Sequence, residues 1–167
     1  IFCFKNEADW DFDLKLRKKS SSAFFTSNKI KKLNKKKTIQ QMLEKNEVDE
    51  KFYYRQSSYI YKSLKESIVR NDTAYQWRRV YVRENQSNMC PTLTANMGTG
   101  GHNVPLIKDD YGIRKLTPKE CFKFQGFNKI KFPNDVAISQ LYKQAGNSVT
   151  VDLIEKIAIC IKKSLEI

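Results

Sequence analysis

Histidine is nearly missing from this sequence: His102 is the single one in 167 residues. Any Ser-His or Cys-His pair would have to use it, and it leaves too few ligands for a Cys/His zinc site. Cysteine is sparse and scattered. Cys3, Cys90, Cys121 and Cys160 form no Cys-x-x-Cys pair, so free thiols in a reducing cytoplasm are the simplest reading. No apolar run approaches the ~18 residues that a membrane span needs, and no charged-then-apolar segment of the signal type opens the chain. A Gly-x-Gly-x-x-Gly turn after a strand, a phosphate-binding P-loop and a His-Glu-x-x-His helix are all missing as well. The chain opens on Ile1, as a fragment or a cut product does, and it shows no internal repeat.

What the sequence has in abundance is positive charge. Lys and Arg number 31 against 18 Asp and Glu, a net charge of +13. Hydrophobic residues at 40% and aromatics at 12% are nonetheless enough for a packed core, which argues against wholesale disorder. The charge is concentrated: residues 13–45 hold eleven basic side chains and two acidic ones, a net +9. Such density attracts a polyanion through counterion release, the competing reading being a solvated lysine surface. Lysines in runs act as non-specific point charges, so any reading of sequence has to come from elsewhere in the chain.

Local signals predict mixed short elements. Residues 1–5 read as the end of a strand and residues 6–37 as polar and irregular. Short helices are expected over 38–46 and over 57–70, where Ile60, Leu64 and Ile68 recur at spacing four. From Tyr75 to Arg83 the pattern alternates. One strand would put Tyr75, Trp77, Arg79, Tyr81 and Arg83 on one face and Gln76, Arg78, Val80 and Val82 on the other. Residues 91–103, with Gly98, Gly100 and Gly101, read as a flexible Thr/Gly loop. Val104–Ile107 and Ile113–Leu116 read as strands around a turn at Asp109–Gly112. Thr117, Pro118 and Glu120 spell a helix start, with Leu116 and Cys121 as a hydrophobic staple and Gly126 as a stop. A further short helix is expected over 137–143. Gly146-Asn147-Ser148 then leads into a final helix whose Val151, Ile154, Ala158, Ile161 and Leu165 form one apolar stripe.

No complete catalytic set emerges. His102 reads equally as a ligand-facing donor after a glycine-rich loop or as an ordinary loop residue. Cys90 reads as an inert, half-buried thiol, because no base or helix start is evident beside it. Asp109 and Asp110 read as a solvated turn. The stretch Tyr75–Arg83 with the loop Cys90–Asn103 is more suggestive. Arginine forks read guanine edges, threonine methyls meet thymine methyls, and glycines let backbone approach a phosphate. The bland alternative is a strand whose arginines pack over its aromatics.

Three runs then resemble one family. Arg114-Lys115-Leu116-Thr117-Pro118-Lys119-Glu120-Cys121, continuing to Gln125-Gly126-Phe127, resembles motif IX of the DNA cytosine-5 methyltransferases. Tyr142-Lys143-Gln144-Ala145-Gly146-Asn147-Ser148-Val149 resembles their motif X. Cys90-Pro91-Thr92-Leu93-Thr94-Ala95-Asn96-Met97-Gly98 is similar to the Thr-Leu core of the target-recognition region that precedes motif IX. Order and separation match, and the resemblance covers roughly residues 47–167. The first five residues resemble the strand that follows motif VIII. The segment Tyr75–Leu106 is most similar to bacterial enzymes that read GC-rich palindromes such as GGCC.

The resemblance implies an α+β chain: a small target-recognition domain of mixed short strands and helices, with a C-terminal helix that packs on an absent α/β lobe binding S-adenosylmethionine. Residues 1–12 would end the catalytic lobe, 13–136 form the target-recognition domain with motif IX, and 137–167 carry motif X and the returning helix. The family flips a cytosine from double-stranded DNA, attacks C6 with a cysteine and methylates C5, often within restriction-modification systems. Its Pro-Cys nucleophile motif, its Glu-Asn-Val motif and its glycine-rich cofactor loop do not occur in this sequence. Cys90 stands before its proline, not after it. No catalytic or metal-binding residue is therefore expected here, and the chain alone is expected to be inactive without an N-terminal catalytic lobe or subunit. By resemblance, Asn147, Ser148 and Val149 would form part of the S-adenosylmethionine site. DNA contacts are expected from Arg78, Arg79, Arg83, Thr92, Leu93, Gly100, Gly101 and His102, while Arg114 and Gln125 are expected to be structural. The alternatives are a non-catalytic, sequence-specific DNA-binding or regulatory remnant and a basic RNA-binding module.

Overall fold

Hydrophobic spacing and capping chemistry translate into short elements around a small sheet. The computed structural model describes residues 38–85, 89–99 and 103–165, with side chains through 162. The expected strand at 1–5, the irregular segment 6–37 and most of the lysine-rich stretch lie outside the described residues. The chain divides into two compact units: Lys37–Ser148 is one, and Val149 onward belongs to the other.

In the first unit, helix α1 (Ile39–Met42) is fixed by a capping box. Thr38 accepts from the Gln41 amide, and the Gln41 side chain accepts from the Thr38 amide at 3.1 Å. The helix is shorter than the expected 38–46. Leu43 turns extended, and Glu44 is drawn into contacts with distant residues: its amide donates to Glu120 at 2.9 Å and its carboxylate accepts from Thr117 at 3.0 Å. Helix α2 (Tyr61–Ser67) is flanked by Ile60 and Ile68. With Leu64 these bury the spacing-four stripe, as expected.

Four strands form one antiparallel sheet: β1 (Tyr75–Trp77), β2 (Val82–Glu84), β3 (Leu106–Lys108) and β4 (Ile113–Lys115), in the order β2-β1-β3-β4. Tyr75 pairs with Glu84 in β2 and with Leu106 in β3. The single strand expected over Tyr75–Arg83 is corrected here to a hairpin, with Trp77 opposite Val82. The β3–β4 turn is as expected, but Asp109 is not simply solvated. Its carboxylate accepts from the amides of Tyr111 and Gly112 at 3.0 and 2.9 Å, from Tyr53 at 3.1 Å and from Arg114 at 2.6 Å.

The pleat separates two cores, because successive side chains point to opposite faces. Tyr75, Trp77, Leu106 and Ile113 pack under Ile60, Leu64 and Ile68. On the other face Ile107 joins Ile39, Leu93, Met97, Leu116, Cys121, Phe122, Tyr142 and Ala145. Helix α3 (Pro118–Phe124) starts on the expected capping box. The staple pair Leu116 and Cys121 is fully buried, and Gly126 at φ +97° ends the helix. Helix α4 (Ile138–Asn147) is longer than the expected 137–143 and runs through Gly146 and Asn147. In the second unit, helix α5 (Val151–Leu165) leaves Val151, Ile154, Ala158 and Ile161 of its apolar stripe exposed. No helix among the described residues is long and apolar enough to cross a membrane.

Candidate nucleic-acid interface

The β1–β2 hairpin ends in a four-residue tip, Arg78-Arg79-Val80-Tyr81. The Arg78 amide donates to the Tyr81 carbonyl at 2.8 Å, closing the tip. Arg79 turns the chain at φ 64°, a left-handed conformation that a side chain with a Cβ adopts at a cost. Nothing in the sequence announces this turn, since it lacks Gly, Asn, Asp and Pro and the alternation runs straight through it. All four tip residues are exposed, Val80 at 88% and Tyr81 at 60%. Arg78 donates to Gln76 at 2.8 Å, which holds its guanidinium beside the strand. Arg83 is exposed on β2. By contrast Arg70 is held by Asp72 at 2.7 Å and Glu84 at 3.2 Å. The hairpin thus presents three arginines and two apolar side chains to solvent. Val80 and Tyr81 lie within the suggestive stretch Tyr75–Arg83 but are not among the expected DNA contacts.

The Thr-Leu segment is built differently from the expectation of a flexible loop. Leu93 is 4% exposed and lies in the core, so its side chain is a packing group and any contact it makes with a duplex runs through its backbone. Thr92 is half-buried, and its hydroxyl has no hydrogen-bond partner among the described residues. A 3-10 helix (Ala95–Gly98) follows. Gly98 serves close packing there, for a Cβ on it would lie 2.4 Å from the Ser139 carbonyl oxygen. Gly100, Gly101 and His102 lie outside the described residues.

The motif IX region is organised by a buried polar network of its own. Arg114 and Glu120 are 1% and 0% exposed and pair in bidentate fashion, both hydrogen bonds measuring 2.8 Å. Glu120 also accepts from the Thr117 amide at 2.8 Å. Burial alone would lower the Arg114 pKa, but the hydrogen bonds and charges of Glu120 and Asp109 outweigh it and hold the guanidinium charged. Gln125 donates to the Ala145 carbonyl at 3.3 Å and Tyr142 to the Leu116 carbonyl at 2.5 Å. Arg114 and Gln125 are therefore structural, as the sequence suggested. Burial, with a contribution from Glu120, raises the Cys90 thiol well above its ordinary range, which fits the inert-thiol reading.

The motif X residues sit at a helix end, not at the helix entrance that the sequence suggested. Asn147 is the last residue of α4, and Ser148 caps its C-terminus, with its hydroxyl donating to the Ala145 carbonyl at 2.7 Å. Helix α4 continues because Gly146 is there for space and not for a turn. Asn147 is exposed, Ser148 half-buried, and Val149 exposed at the start of the second unit.

With motif order, α+β architecture and exposed arginines together, the class is that of the target-recognition region and motifs IX and X of a bacterial DNA cytosine-5 methyltransferase. The C-5 cytosine-specific DNA methylase family model matches residues 1–163, and the chain belongs to that family. Over 130 residues, 77% of this chain, it is 55% identical to the Type II methyltransferase M.Bsp6I of Bacillus sp. (strain RFL6), of which it covers 41%. It is 51% identical over 72 residues to the orphan methyltransferase M.Rho11sI of Bacillus phage rho11s, covering 40% of this chain and 14% of that protein. With the Type II methyltransferase M.MspI of Moraxella sp the identity is 44% over 62 residues, 36% of this chain and 15% of that protein. The matched part of the chain thus spans less than half the length of each of these relatives.

Proposed function

We propose that this chain is the DNA-recognition part of a DNA (cytosine-5-)-methyltransferase, acting on double-stranded DNA in the cytoplasm within a restriction-modification system. The observation that supports the reading is the exposed hairpin tip, where Arg78 and Arg79 stand with Val80 and Tyr81 at the surface of a chain of this family. Guanidinium forks suit guanine edges and phosphates alike. Arg83, Thr92, the backbone at Leu93, and Gly100, Gly101 and His102 complete the proposed contact set. The unpartnered Thr92 hydroxyl is shielded from solvent in this structure, so its contact with a duplex, as a donor to a phosphate or sugar oxygen, requires the segment to shift on binding.

The methyl donor, S-adenosylmethionine, would supply the transferred methyl group. The exposed Asn147 amide and the remaining Ser148 lone pairs fit the polar part of such a ligand, with Val149 beside them, so these residues form one wall of its site. The sequence carries neither the Pro-Cys nor the Glu-Asn-Val motif. Bond-making therefore falls to an N-terminal catalytic lobe or subunit, and residues 137–167 return the chain to it, the exposed stripe of α5 packing there.

Fluorescence anisotropy against a panel of duplexes tests the recognition role. Preference for one short duplex sequence, relaxed by Arg79→Ala, supports it. Equal binding to all duplexes, unchanged by that substitution, refutes it. Sequence-specific binding that gains nothing from an added catalytic lobe would favour the regulatory remnant instead.

A further inference from the structure

Two glycines hold the Thr-Leu segment against α4, and neither is needed for its backbone angles. The positive-φ glycines among the described residues are Gly112 and Gly126, so Gly98 and Gly146 answer a demand for space. A Cβ on Gly146 would lie 2.1 Å from the Thr94 carbonyl carbon and 2.4 Å from the Ala95 nitrogen. A Cβ on Gly98 would lie 2.4 Å from the Ser139 carbonyl oxygen and 3.2 Å from the Lys143 Cβ. Each glycine thus admits the backbone of the other element, and the two contacts sit at opposite ends of one helix face, since Ser139, Lys143 and Gly146 recur at spacings of four and three. Between them Met97, Tyr142 and Ala145 are buried in the same core. Backbone against backbone leaves no side chain to rotate out of the way, so the joint transmits displacement where a rotamer would absorb it.

The joint links two ends with different proposed ligands. The 3-10 helix at Ala95–Gly98 begins three residues after Thr92, and α4 ends on Asn147 with Ser148 as its cap. We propose that Gly98 and Gly146 are positioning residues that make the recognition segment and the Asn147–Ser148 turn one mechanical body, so that duplex binding and methyl-donor binding strengthen each other. The inference rests on the proposed function, which supplies both ligands. Coupling of this kind is reciprocal: whatever factor the duplex contributes to donor affinity, the donor contributes to duplex affinity.

The test uses the full-length methyltransferase that contains this chain. Calorimetry measures the Kd of S-adenosylhomocysteine, which cannot be consumed by methyl transfer and stands in for the donor, with and without the preferred duplex. In the parent enzyme the duplex should tighten donor binding by about five-fold or more. In Gly98→Ala and in Gly146→Ala that ratio should fall to within about two-fold of unity. Leu64→Ala, in the opposite core, is the control: it should lower thermal stability and keep the parent's ratio. A ratio retained in the glycine variants overturns the proposal, and so does a ratio lost equally in Leu64→Ala. Should neither glycine variant fold, hydrogen exchange on the parent decides. S-adenosylhomocysteine alone should slow exchange of the Met97 and Thr99 amides, which donate to the Thr94 and Asn96 carbonyls; unchanged exchange overturns the proposal. If the parent binds both ligands with a ratio of one, only this inference falls. If it binds neither, the functional reading falls and takes the inference with it.

Discussion

Replacing Glu120 by Gln keeps the shape of the side chain and removes its charge. The carboxylate accepts four hydrogen bonds: two from Arg114 at 2.8 Å, one from the Thr117 amide at 2.8 Å and one from the Glu44 amide at 2.9 Å. Each of its oxygens takes two of them, so whichever end becomes the amide nitrogen will face two donors. Both residues of the pair are essentially solvent-free. Breaking such a pair from one side costs about 3–5 kcal/mol, because the remaining charge stays buried and Asp109 alone must hold it. That is a large part of the ~5–15 kcal/mol by which a domain is stable. Urea unfolding should therefore show a lower midpoint with an unchanged slope. The double substitution Arg114→Met with Glu120→Leu should recover only part of the loss: it removes the orphaned guanidinium, but Asp109 loses its cation and the Thr117 and Glu44 amides lose their acceptor. A loss below about 1 kcal/mol for Glu120→Gln would refute the claim that this pair anchors motif IX.

Other outcomes follow from the same geometry. Arg79→Gly should stabilise the fold by up to about 1 kcal/mol by relieving the left-handed turn while weakening duplex binding; a stability gain with unchanged binding would remove Arg79 from the interface. Arg79→Ala should cost about 1–3 kcal/mol of binding to the preferred site and less to others, if its fork reads a base. Leu64→Ala should cost about 2–5 kcal/mol on thermal or urea melts, because its side chain is fully buried. Burial, aided by Asp109 for one and Tyr59 for the other, pushes Tyr53 and Tyr54 up to about 12 from 10.0. Their folded pKa values exceed the unfolded ones, so their contribution is complete below pH 10 and is lost as pH rises toward 12. A stability profile that stays flat across that interval would contradict the assignment. Asn147→Ala should weaken donor binding in the assembled enzyme and leave duplex binding by this chain unchanged.

Where local chemistry decides, the structure could be read from the residues in advance. Thr117, Pro118 and Glu120 form α3 by capping its own first turn, and Gly126 ends it by a positive φ; neither depends on distant contacts. The stripe Ile60, Leu64 and Ile68 was equally visible. The failures share a cause, which is that tertiary contacts outvoted local pattern. Arg79 takes the turn that glycine would ordinarily take, so the alternation from Tyr75 to Arg83 looked like one strand. Gly146 suggested a break between helices, but it marks close packing against Thr94 and Ala95 within α4. Leu93 came out of the family motif as a DNA contact, and its burial shows that its side chain supports the segment from beneath. Asp109 looked like a turn residue, and only the fold brings Tyr53 and Arg114 to its carboxylate. The exposure of Arg78, Arg79 and Arg83 and the burial of Arg114 and Gln125 agree with the sequence reading, whereas the burial of Leu93 does not follow from it.

The central claim is that this chain recognises DNA for a methyltransferase whose bond-making groups lie elsewhere. Transfer of a tritiated methyl group from S-adenosylmethionine to duplex DNA measures it directly, with this chain alone and with the N-terminal catalytic lobe restored by co-expression. The account predicts no transfer above background from the chain alone and sequence-dependent transfer from the combination. Robust transfer to cytosine C5 by the chain alone would contradict it.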